Sequence, residues 1–176
     1  NMVICTPSDE NETRKLLTTA YLHNGPASVR YPRGTGPNSN VDKDLKPLKI
    51  GEANIINEES SEIVILNFGT LLNEANQISK ELKATLVDMR FVKPLDEKLL
   101  RKLFKKAKVF ISIEDGSIMG GAGSAVQEFA SKENLNVRSI LFGIPDKFIE
   151  HASREEMLVE AGLDVENIKS KLSKLL

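Results

Sequence analysis

Two arginines give the sharpest chemical signal in the sequence. Arg30 and Arg33 flank Tyr31-Pro32 and run into Gly34. Guanidinium forks match the oxygens of phosphate or carboxylate, and the fixed φ of Pro32 limits how the second arginine can swing. The spacing alone leaves two readings equally open, an anion site and a pair of salt bridges to neighbouring acids. A second candidate is the cluster Met119-Gly120-Gly121-Ala122-Gly123-Ser124, because backbone N–H groups at a helix N-terminus hold phosphates. It departs from the Gly-x-Gly-x-x-Gly fingerprint at Val126 and lacks a Lys followed by Ser or Thr. Small residues that let a helix pack close to a sheet are the plainer account. Glu114 and Asp115 end the preceding apolar run, at the edge where open α/β sheets place ligands. Paired carboxylates do acid–base or metal work, but adjacent residues on an extended chain point in opposite directions, so a polar turn is the better reading. Asp88-Met89-Arg90-Phe91-Val92-Lys93-Pro94 is a charged strand-to-helix crossing that serves equally as a structural ion pair.

The other reactive types read as inert. His23 and His151 have no second ligand at metal spacing and are taken as surface or interface residues. Cys5 sits in the apolar run Met2-Val3-Ile4-Cys5 and reads as a buried thiol; a single cysteine forms no internal disulfide.

These side chains need elements to position them. Val3 to Cys5 reads as a strand entering a helix capped by Thr6, with Pro7 at its first position and Asp9 closing a capping box. That helix runs to about His23 with Leu16, Leu17, Ala20 and Tyr21 on one face, and Ala27 to Tyr31 is the next strand. Residues 35–49 are rich in Gly, Pro, Asn, Asp and Lys without period, as an interdomain linker is. Beyond it, strands at Gly51 to Ile56, Ile63 to Phe68, Ala84 to Asp88, Lys108 to Ile113 and Val137 to Phe142 alternate with helices. The helices are one capped by Thr70, one opened by Pro94 and one over Ser124 to Lys132. Ser153-Arg154-Glu155-Glu156 is a capping box for a short helix closed by Gly162, and Asp164 caps the last helix. The rhythm predicts an α/β fold with a mostly parallel sheet flanked by helices.

Bulk properties narrow the function classes. At roughly 150 residues per domain, 176 residues make one domain or a domain plus a fragment. With 24 Lys plus Arg against 25 Asp plus Glu the net charge is −1, without the basic stripe of a nucleic-acid or anionic-membrane binder. Apolar runs fall far short of the roughly 20 residues of a membrane helix, and no basic-plus-apolar leader opens the chain. The expectation is a cytoplasmic protein that touches neither membrane nor nucleic acid.

Five segments, taken in order, carry a resemblance. They are Met2 to Glu12 (MVICTPSDENE), Val29 to Gly34 (VRYPRG), Leu66 to Leu71 (LNFGTL), Ala84 to Asp96 (ATLVDMRFVKPLD) and Ile118 to Ser124 (IMGGAGS). Together they resemble the carboxyl-terminal part of the 1-deoxy-D-xylulose-5-phosphate synthase family over essentially the whole chain. Looser versions of the first two segments and of the glycine cluster occur in transketolases and in β subunits of 2-oxo-acid dehydrogenases. The resemblance implies the tail of a pyrimidine-binding domain at residues 1–34, a linker at 35–49 and a transketolase carboxyl-terminal domain at 50–176. The implied parent, a homodimer, condenses pyruvate with glyceraldehyde 3-phosphate, losing carbon dioxide, to make a precursor of isoprenoids, thiamine and pyridoxal, with thiamine diphosphate and magnesium as cofactors. The family's Gly-Asp-Gly motif followed by Asn, its activating glutamate and its catalytic histidines find no match here. The expectation is therefore no catalytic, cofactor-binding or metal-binding residue in this stretch, no bound cofactor and no activity alone; the start at Asn1 fits a truncated product. Of the family's substrate contacts, Arg33 maps as a ligand of the acceptor's phosphate, with Arg30 a weaker candidate. Two alternatives remain, an assembly or binding module and a β-subunit-like domain that holds a lipoyl-bearing partner.

Overall fold

A computed structural model describes residues 1–176, the side chains of residues 60 and 61 excepted. The main body is a five-stranded sheet in the order β3-β5-β4-β7-β8, from Asn54–Asn57 (β3), Ala84–Asp88 (β5), Ser60–Phe68 (β4), Val109–Ser117 (β7) and Arg138–Ile144 (β8). β4 runs parallel to β5 and β7, and β7 to β8; β3 alone is antiparallel. Alternation along the strands feeds two cores. Val64, Leu66 and Phe68 meet α3 (Glu97–Phe104) and α4 (Ala122–Lys132) through Leu100, Leu103, Val126 and Phe129. Ile65, Leu86, Ile111 and Ile113 meet α2 (Leu72–Leu82), α5 (Arg154–Ala161) and α6 (Val165–Leu175) through Ala75, Ile78, Ala161, Ile168 and Leu172. The mostly parallel sheet with helices on both faces is as expected, and so are the Ser153–Glu156 capping box, the Gly162 stop and the Asp164 cap.

The first 34 residues contribute β1 (Val3–Cys5), α1 (Glu10–Leu22) and β2 (Ala27–Val29), which form a second sheet in the order β2-β1-β6. β6 (Phe91–Lys93) is a strand that the sequence reading missed; it comes from the segment after β5 and pairs antiparallel with β1. Val3, Cys5, Leu16 and Phe91 form a small third core. Burial pushes the Cys5 thiol up to about 11, in keeping with an inert thiol.

Several boundaries differ from expectation for physical reasons. Thr6 does not cap α1: its N–H donates to the Arg90 carbonyl (2.7 Å), so the chain stays extended to Asp9, whose carboxylate takes the Glu12 N–H (2.8 Å) and caps instead. Of the proposed apolar face of α1 only Leu16 is fully buried, while Leu17 and Tyr21 are exposed. Thr70 does not cap α2, and α3 starts at Glu97 under the Asp96 cap rather than at Pro94. β7 continues through Glu114 and Asp115, which are strand residues and not a turn.

Polar contacts tie the two sheets together. Arg90 forks onto Glu12 with Nε and Nη2 at 2.7 and 2.9 Å, the structural ion pair that the sequence left open for this crossing. Ser8 donates to the Asp88 Oδ2 at 2.7 Å, and Asp88 is 1% exposed with its Oδ1 unpartnered among the described residues. Burial pushes the Asp88 carboxyl up to about 7, with Glu12 adding to the rise and the Ser8 and Arg90 contacts opposing it. An unfolded aspartate releases its proton near pH 4, whereas the folded chain keeps it until about pH 7. The folded state thus binds more protons across that window, and stability falls as pH rises through it. Urea midpoints should drop between pH 5 and pH 8 by the equivalent of about 1.5–3 kcal/mol. Asp88→Asn should flatten the slope; a slope of wild-type size in that variant would place the proton elsewhere.

Candidate functional site

The carboxyl ends of β1 and β2 face those of β4 and β7, and the chemistry-bearing residues gather at this junction. Alternation along β7 sends Glu114 and Asp115 opposite ways. Glu114 is 3% exposed and turns to α4, where its two oxygens accept the N–H groups of Ala122 and Gly123 at 3.0 and 2.9 Å. A carboxylate against a helix N-terminus is well placed electrostatically. The glycine cluster serves this contact. A Cβ on Gly121 would collide with the Ser117 carbonyl and crowd Glu114, and one on Gly123 would collide with the Ser112 hydroxyl. Close packing is therefore the role of the cluster, and the donors that a phosphate would use are taken by the chain's own carboxylate.

Asp115 turns the other way, toward Arg30. The Arg30 Nη1 donates to the Asp115 Oδ1 at 2.5 Å and to its carbonyl at 3.1 Å, so Arg30 follows the salt-bridge reading. The Thr70 hydroxyl donates to the Asp115 Oδ2 (2.7 Å) and accepts from the Arg154 Nη2 (2.9 Å). The chain Arg30, Asp115, Thr70, Arg154 links four segments that are far apart in sequence. Sequence reasoning missed Thr70 and Arg154, both of which it had assigned to helix capping; nothing local marks either as part of a network. Two cavities flank the chain. One, of about 390 Å³, is lined by polar residues that include Ser8, Tyr31, Thr70, Glu74 and Arg154. The other, of about 360 Å³, is mainly apolar, with Ile149, Met157 and Leu158 opposite Arg30 and Asp115.

Arg33 stands apart from this network. It is exposed, lines neither cavity and, among the described residues, pairs with no carboxylate. The two arginines of Arg-Tyr-Pro-Arg therefore differ, the first held and the second available. His151 is exposed; His23 is half-buried and ends α1 by donating its N–H to the Ala20 carbonyl.

Among the described residues no three His, Cys, Asp or Glu side chains group as a metal site would need, and no helix is long and apolar enough to cross a membrane. Among the described residues the glycine-rich N-terminus of α4 does not fit a diphosphate, because Glu114 already accepts its N–H groups.

Comparison with known proteins gives a consistent likeness. Residues 51–168 match the model of the transketolase C-terminal domain. The chain is 50% identical over 169 residues to the 1-deoxy-D-xylulose-5-phosphate synthase of Pseudomonas fluorescens, a stretch that covers 96% of this chain and 27% of that protein. It is 46% identical over 175 residues to the synthase of Pseudomonas syringae pv. tomato, covering 99% of this chain and 28% of that one. The chain thus spans little more than a quarter of the length of these curated relatives. In fold it is similar to a split-gene transketolase solved as an inactive beta4 tetramer, with TM-score 0.79, 24% identity and coverage of 99% of this chain and 56% of that one. The transketolase of Campylobacter jejuni gives TM-score 0.70 at 17% identity, covering 99% of this chain and 26% of that chain.

The Glu114 contact is open to test. Glu114→Ala leaves two buried helix N–H groups without an acceptor and should destabilise the chain by about 1–3 kcal/mol in urea unfolding. Glu114→Gln, which keeps one acceptor oxygen, should lose less. Wild-type stability of the alanine variant would show that the carboxylate does not hold α4.

Proposed function

Since the chain belongs to the transketolase carboxyl-terminal-domain family, we propose that it is the carboxyl-terminal part of a 1-deoxy-D-xylulose-5-phosphate synthase. The observation that carries this reading is the identity of about one half, over nearly all of this chain, with proteins of that name. It favours the synthase over a lipoyl-partnered β subunit or a bare assembly module. In this reading residues 1–34 are the tail of the pyrimidine-binding domain, 35–49 the linker and 50–176 the carboxyl-terminal domain. The reaction is the condensation of pyruvate with glyceraldehyde 3-phosphate and loss of carbon dioxide. Thiamine diphosphate and magnesium belong to the part of the enzyme that this chain does not match, so no chemical step is assigned to the residues here. The homodimeric parent works in the cytoplasm.

What these residues do is bind and orient. Arg33 takes the phosphate of the acceptor, a role supported by its exposure and by the absence of a carboxylate partner among the described residues. A guanidinium forks across two phosphate oxygens and, being remote from the reacting carbonyl, contributes binding energy that orients the aldehyde. Arg30 is the weaker phosphate candidate, since Asp115 already engages it.

Two measurements test the reading. The chain by itself should form no product from the two substrates, and calorimetry with thiamine diphosphate and magnesium should show no heat beyond dilution; a micromolar Kd would overturn the assignment of the cofactor to the remainder of the enzyme. In the full-length enzyme, Arg33→Ala should remove a charge-assisted hydrogen bond worth roughly 1.5–3 kcal/mol, or about 10- to 150-fold in kcat/KM for glyceraldehyde 3-phosphate. Pyruvate decarboxylation should change little, and Arg33→Lys should recover part. An equal loss with unphosphorylated glyceraldehyde would make Arg33 a structural residue.

A further inference from the structure

We propose that Asp115 is a positioning residue for the phosphate site: by holding Arg30 it sets where the backbone of Tyr31-Pro32-Arg33 leaves the sheet, and so where the Arg33 guanidinium stands. The inference rests on the reading of Arg33 given above.

Arg30 is held at both ends. Its backbone N–H donates to the Cys5 carbonyl at 2.9 Å, and its Nη1 reaches the Asp115 carboxylate and carbonyl. The Asp115 side chain is itself only 11% exposed and has both oxygens engaged, one by Arg30 and one by Thr70, which Arg154 orients in turn. Space for the carboxylate is kept by Gly69: its φ of +100° favours glycine, and a Cβ there would stand 2.7 Å from the Asp115 Oδ1. Segments from β4, β7 and α5 thus converge on one guanidinium three residues before Arg33. Between the two arginines Pro32 has a fixed φ and disfavours helical backbone at Tyr31, so the backbone from the held residue to the available one has fewer open conformations. Arg30 with Asp115 gone would keep its backbone bond but lose the anchor of its side chain, and Tyr31, itself 58% exposed, offers no replacement.

The test uses the full-length enzyme and a double-mutant cycle. Asp115→Asn keeps the shape and removes the charge that holds Arg30. The KM for glyceraldehyde 3-phosphate should rise about tenfold with kcat within about twofold, and the kinetics with unphosphorylated glyceraldehyde should stay as in the wild type. Equilibrium binding of glycerol 3-phosphate, a non-reacting phosphate ester, should weaken by a similar factor. Asp115→Glu should restore part of it. In the Arg33→Ala background, Asp115→Asn should add no further loss, because the guanidinium that it positions is gone. Full additivity in that background, or an equal loss with the unphosphorylated aldehyde, overturns the role of Asp115 while leaving Arg33 intact. If Arg33→Ala itself lacks phosphate selectivity, the site reading fails instead, and the two failures are distinct. Should Asp115→Asn not fold, Thr70→Val removes one donor to the same carboxylate and leaves the ion pair; a phosphate-selective loss of about two- to fourfold supports the inference, and none overturns it.

Discussion

Successive side chains of a strand point to opposite faces, and at the end of β7 this alternation decides how the molecule is assembled. Glu114 and Asp115 are adjacent in sequence and share no partner. One carboxylate satisfies the N-terminus of α4, so that helix, with Val126 and Phe129, is seated on the sheet. The other crosses to Arg30 and draws the first 34 residues against the carboxyl edge of the main sheet. A one-residue slip of β7 would exchange the two faces and break both unions at once. The glycines on either side follow from the same constraint, since Gly69 makes room for Asp115, and Gly121 and Gly123 let α4 approach Glu114 and Ser112.

The union of the two sheets is mostly polar. A core of Val3, Cys5, Leu16 and Phe91 is small, and the polar links include the Arg90–Glu12 fork, the Ser8–Asp88 hydrogen bond and the Arg30–Asp115 pair. Well-formed but partly buried ion pairs add little net stability over apolar packing; losing one partner is what costs, because a charge is then left desolvated. Such contacts specify an orientation better than they stabilise it. The phosphate role proposed for Arg33 needs a fixed orientation, and that suits a junction of this kind.

Much of the architecture was legible because its signals are local. Ala84 to Asp88 reads as a strand from its short, largely apolar run, and the Ser153–Glu156 box with Gly162 states both ends of α5 within ten positions. β6 was not legible: three residues make a strand only because β1, far away in the chain, supplies the partner. The same reason hid the true start of α1, since Thr6 is a sound N-cap until the Arg90 carbonyl claims its N–H. Thr70 reads as a cap for the same cause, and its real partners, Asp115 and Arg154, are 45 and 84 residues away. Local propensity loses wherever a distant group offers the backbone or side chain a better bond.

The two arginines illustrate the limit most sharply, because residue type and spacing are the same for both and only the fold separates them. Arg30 meets a carboxylate 85 residues away; Arg33, two positions beyond Tyr31, meets none among the described residues. The division has an energetic logic. Ordering a loop to bind an anion costs roughly 1–2 kcal/mol for each backbone residue fixed, so a loop of several residues costs several times what is needed to restrict one long side chain. With Arg30 held at its N–H and its guanidinium, and with the φ of Pro32 fixed, part of the ordering ahead of Arg33 is already present in the chain itself. On the reading proposed for Arg33, its rotamer freedom costs about 2 kcal/mol more, which one charge-assisted contact to a phosphate can offset.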